Sequence, residues 1–112
     1  MKAVRIPAEG TPEVIDMPST LEGMQAEVGG YIEPVPLGQS ELMGWVNADG
    51  PALGMDRNPV ATRLCPAALG QGIWIAGPML VTGHSDTTFV GLTDETAELV
   101  AEIAITLKEA VR

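Results

Sequence analysis

Residues 73 to 81 read IWIAGPMLV, the most apolar stretch of a 112-residue chain. A short, continuous apolar run of this kind predicts a strand buried on both faces, and therefore the central strand of a sheet. Gly77-Pro78 interrupts it, and a proline without an amide predicts a bulge there, or a split into two strands. Downstream, the polar HSDTT of residues 84 to 88 predicts a loop, followed by a short extended piece from Phe89 to Leu92. Thr93 is then placed to cap a helix running to about Ala110, with Asp94 and Glu95 at its positive end and Lys108 and Arg112 at its negative end. In this helix Val100, Ile103, Leu107 and Val111 have the spacing of a buried face, while Glu95, Glu98, Glu102 and Glu109 form the opposite stripe.

Upstream of the apolar run, Asn58-Pro59 offers an N-cap followed by a proline at the first helical position, predicting a short helix through Leu64 that ends before Pro66. Gly70 to Gly72 would be a flexible join. NADG, at Asn47 to Gly50, has turn chemistry, and PALGMDR after it reads as loop. Glu41 to Val46 predicts a strand, and Tyr31 to Val35, cut by Pro34 and Pro36, predicts an edge strand. Ser19 and Glu22 form a capping box for a helix with Leu21, Met24 and Val28 on one side, closed by Gly29-Gly30. Ala3 to Ile6 and Val14 to Met17 can pair as a hairpin. These elements predict a single α+β domain over residues 1–112. Its sheet is mostly antiparallel, with a short N-terminal helix, a short middle helix and a long C-terminal helix packed on it.

The chain is 46% hydrophobic and 19% charged, a folded composition. Cys65 is the only cysteine, so no disulfide can form within the chain and stability must come from apolar burial. No run approaches the roughly 18 apolar residues of a membrane span, and MKAVRIPAEGTPEV turns polar before a signal core could form. A cytoplasmic protein is expected. Fifteen acids against six bases give a net charge of −9. This field repels nucleic-acid backbones and anionic membranes and favours a basic protein partner, although it also serves solubility.

No catalytic site is expected. His84, Ser85 and Asp86 supply the side-chain types of a triad, but neighbours in one loop cannot reach its geometry, and the G-x-S-x-G elbow is absent. One cysteine and one histidine cannot hold structural zinc. Continuing NADG as a calcium loop puts Pro51 and Leu53 at ligand positions. The glycine clusters lack the lysine of a phosphate loop, so neither a metal nor another cofactor is expected. Cys65, Trp45 and Trp74 read as core, though either tryptophan could anchor an interface. The stripe Glu95, Glu98, Glu102 and Glu109 is a candidate interaction surface: carboxylates fixed on a rigid helix can enter a basic groove by imitating phosphates. A solvated helix face is the simpler explanation. The proline-cut edge strand and the C-terminal helix leave room for a homo-oligomer.

STLEGMQAEVGGYIEPVPL at residues 19–37, LMGWVNADG at 42–50, NPVATRL at 58–64 and IAGPMLVTG at 75–83 resemble a small family of actinobacteriophage and plasmid proteins, domain of unknown function 3846. The pattern of that family carries a second acid where this chain has Ala48. The resemblance implies a phage accessory protein in the cytoplasm of a bacterial host, with no catalytic residues to carry over. Among its polar matches, Asn47, Asp49, Asn58 and Thr62, joined by His84, would make a polar pocket if they converge. Two functions follow as expectations: a non-enzymatic protein that binds a host or phage macromolecule, with inhibition as one outcome, or a small-ligand domain or minor enzyme using that pocket.

Overall fold

The computed structural model describes residues 1–38, 41–65 and 72–111, and its strands are β1 (Lys2–Ile6), β2 (Glu13–Asp16), β3 (Ile32–Pro36), β4 (Leu42–Asn47) and β5 (Met79–Gly83). They form one sheet in the order β2-β1-β5-β4-β3, with every neighbouring pair antiparallel. β1–β2 and β3–β4 are hairpins, and β5 is inserted between them, with Val81 opposite Val4 on one side and Gly44 on the other. The apolar run thus does supply the central strand, but only from Met79 onward. Gly77 adopts a left-handed φ of 84° and Pro78 has no amide to give a ladder. Residues 73–77 belong to no strand: Ala76 forms an isolated bridge with Arg57, and Ile75 and Gly77 hydrogen-bond to Asp56, Asn58 and Thr62.

Helices α1 (Leu21–Val28), α2 (Pro59–Leu64) and α3 (Asp94–Ala110) cover both faces. Strand alternation turns Val4, Ile6, Val46, Met79 and Val81 toward α2 and α3, where they meet Val60, Ala61, Ala97, Val100, Ala101 and Ala104. The intervening Ala3 and Leu80 face the other way, onto Met24 and Val28 of α1. Burying each such Val, Leu, Ile or Met stabilises the fold by roughly 1.5–3 kcal/mol. The α+β class and the long helix packed on the sheet are as expected, with α1 forming a further layer behind.

Three local features differ from expectation. The cap of α1 is Thr20, whose hydroxyl accepts the Gly23 amide at 3.0 Å, because the helix begins at Leu21 and its third amide is that of Gly23. Ser19 instead donates to the Phe89 carbonyl at 2.9 Å. On α1, Met24 and Val28 are buried, but Leu21 is exposed. On α3 the buried stripe is Ala97, Val100, Ala101 and Ala104, whereas Ile103 is 45% exposed and Leu107 and Val111 are only partly buried. Bulk at this interface comes from the strands, and small alanines let the helix approach them closely.

The other end signals hold. Gly29 closes α1 with φ 80°, Asn58 and Pro59 open α2, and the Thr93 hydroxyl accepts the Thr96 amide at 3.1 Å to open α3. Lys2 pairs with Asp94 at 2.7 Å, and Lys108 donates to the Gly10 carbonyl, so both ends of α3 are tied to the β1–β2 hairpin. The stop at Pro66, most of the join at Gly70–Gly72, and Arg112 lie outside the described residues. Among the described residues no helix is long and apolar enough to cross a membrane.

Candidate functional site

Asn58 follows from its sequence context as the α2 cap, yet it is wholly buried and does more than cap. Its Oδ1 accepts the Ala61 amide at 3.0 Å, while its Nδ2 donates to the carbonyls of Ile6, at 2.9 Å, and Gly77, at 3.0 Å. One side chain therefore ties the end of β1 and the Gly77 turn to α2. Thr62, one turn further on, donates to the Asn58 carbonyl at 2.8 Å and accepts the Ile75 amide at 2.9 Å. Asn47 is likewise buried, donating to the Val28 carbonyl at 3.1 Å and accepting the Asp49 amide at 2.8 Å. A Cβ on Gly30 would stand 2.9 Å from Asn47 Nδ2, which explains a glycine there.

These groups are structural latches with their bonding used internally. Among the described residues no buried side-chain nitrogen or oxygen lacks a partner. Asp49 is exposed, and His84 lies beyond the far end of β5, roughly 17 Å of strand away. There its backbone amide donates to the Glu41 carbonyl at 2.7 Å, and its ring stands 3.6 Å from Asp86. Asn47, Asp49, Asn58, Thr62 and His84 consequently do not converge on one pocket. Ser85 accepts the Thr87 amide at 3.3 Å, and among the described residues no three His, Cys, Asp or Glu side chains are grouped to hold a metal.

The α3 stripe is different. Glu95, Glu98, Glu102 and Glu109 are all exposed, and none is in an ion pair among the described residues. Beside them, Leu99 and Ile103 expose 56% and 45% of their surface. With Glu102, Thr106 and Leu107 they line a shallow hollow of about 290 Å³. Ile105 flanks the stripe and is 36% exposed. A 17-residue helix, about 25 Å long, thus presents a carboxylate row next to an apolar row. Glu102 belongs to both.

Trp45 is partly buried and packs against the core: its ring meets Phe89 edge-on at 5.5 Å and its Nε1 donates to Thr82 at 2.9 Å. Trp74 lies outside that core. It is 45% exposed, with the Arg57 guanidinium 5.0 Å from its ring centroid. The signal that places it outside was present at Gly77-Pro78, which removes the preceding residues from the ladder. Burial pushes the Cys65 thiol up to about 11, so it is a packed, protonated group. Arg5 is raised above its ordinary value, chiefly by its two-pronged bond to Glu27.

The family model described as Domain of unknown function (DUF3846) matches residues 1–104. No significant match was found among curated proteins or solved structures.

Proposed function

Given that the chain belongs to that family, whose description names no activity, we propose that it is a non-enzymatic binding protein that docks a basic protein on the outer face of α3. The observation that carries this reading is the pairing of two rows on one rigid helix: four exposed carboxylates without ion-pair partners among the described residues, and Leu99 with Ile103 exposed beside them. Carboxylates steer and select a positively charged partner, and the apolar row supplies contact area once it has docked. A net charge of −9 works against nucleic acid and anionic membranes at the same surface. Two copies meeting through α3 would bring carboxylate rows together, so the face also disfavours its own kind. The resemblance of the sequence motifs to actinobacteriophage and plasmid proteins supports an accessory role in the bacterial cytoplasm, with a host or phage protein as the target and its inhibition as one consequence.

The test is capture from actinobacterial lysate on tagged protein, with washes at low and high salt and mass spectrometry of what remains. A basic protein retained at low salt and released at high salt is expected, because charge pairs at a rim are screened over about 8–10 Å at physiological ionic strength. Retention of acidic proteins alone, or of nothing above background, would refute the reading.

A further inference from the structure

Three of the five described lysines and arginines are engaged: Lys2 with Asp94, Arg5 with Glu13 and Glu27, and Lys108 with the Gly10 carbonyl. Arg57 and Arg63 make neither an ion pair nor a side-chain hydrogen bond among the described residues, although the chain carries fifteen acids. Both belong to hollows that meet at Trp74. One, of about 390 Å³, is lined by Arg57, Met55 and Pro51; the other, of about 310 Å³, by Arg63, Pro59 and Val111; Ile73 and Trp74 line both.

We propose that the Arg63 hollow is a binding site for a small ligand consisting of a flat ring that bears an oxyanion, phosphate or carboxylate. The half-exposed indole of Trp74, with Ile73, Pro59 and Val111, gives the ring an apolar seat. Thr62 also lines the hollow, but its hydroxyl is committed to Asn58 and Ile75. Arg63 is therefore the polar group with bonding capacity to spare, and its planar fork suits a two-oxygen anion. Arg57 lines the neighbouring hollow and stands over the indole, so it acts as a positioning residue that holds the ring seat. The volume is at the small end of ligand pockets and suits one ring system with one charged group. This site is independent of the α3 face and takes ligands of opposite charge.

The two indole N–H signals of ¹⁵N-labelled protein provide the test, with AMP and 2-naphthoate as probes. Trp45, bonded to Thr82, should stay in place as an internal control while Trp74 moves. The expected dissociation constant is below about 1 mM for at least one probe, with adenosine and inorganic phosphate each at least about 10-fold weaker than AMP if phosphate is the anion. A preference for 2-naphthoate would identify carboxylate instead. Arg63→Gln should weaken binding by about 10-fold or more, and Arg57→Gln by only a few-fold while shifting the Trp74 signal without ligand. A Trp74 signal unmoved by either probe at about 10 mM, or unchanged affinity in Arg63→Gln with the Trp45 signal native, would overturn the proposal.

Discussion

The latch formed by Asn58, Thr62 and Asn47 and the outer face of α3 are both rich in polar side chains, and the fold uses them in opposite ways. In the latch the side chains are buried and their bonds go to named backbone groups of β1, α1 and the loop before β5. On the outer face of α3 Glu95, Glu98, Glu102 and Glu109 are exposed and have no ionic partner among the described residues. Polar groups that are satisfied inside hold the structure together, whereas polar groups left open on a rigid element remain available to another molecule. Residue type alone would have grouped the two regions as equal candidates for a site.

The largest effect should come from cutting the latch. Asn58→Ala removes a cap and leaves the Ile6 and Gly77 carbonyls without their donor, a loss of about 3 kcal/mol by urea unfolding. A loss below about 1 kcal/mol would mean these bonds do not hold β1 and the Gly77 turn to α2.

Cys65 tests the same buried layer through pH. Its folded thiol is raised to about 11, so the stability it contributes is complete below the ordinary value of 9.0 and is lost as pH rises toward 11. The expected decline over that window is about 2 kcal/mol, absent from Cys65→Ala when the two are compared at each pH. Thr62→Val should cost about 1–2 kcal/mol, since it keeps the shape but strands the Ile75 amide. Smallest of all should be Glu98→Lys with Glu102→Lys, which should leave the urea midpoint within about 0.5 kcal/mol of the parent. A large loss there would show that the α3 face supports the fold after all.

Much of the fold was legible because local chemistry and tertiary position agree. Met79 to Val81 is apolar and central, Thr93 and Asn58 are caps, and Pro34 and Pro36 lie on the edge strand β3. What could not be read is instructive. Helical spacing fits either shoulder of α3, and size favours Ile103 inside; the close approach of the sheet selects Ala97, Ala101 and Ala104 instead. Asn58 was readable as a cap, but its two carbonyl acceptors come from 52 and 19 residues away and exist only once the sheet has formed. The same tertiary bonds separate Asn58 and Thr62 from His84. Trp74 lies in the part of the apolar run that precedes Gly77-Pro78, where apolarity alone favours burial, whereas the break at Gly77 leaves β5 to start only at Met79.

The measurement that bears most directly on the α3 face is the affinity of the captured basic protein, once purified, for the parent chain and for Glu98→Lys with Glu102→Lys. With folding confirmed by an unchanged urea midpoint, charge reversal should weaken binding by at least about 100-fold. Equal affinity for both chains would contradict the assignment of this face as the docking surface.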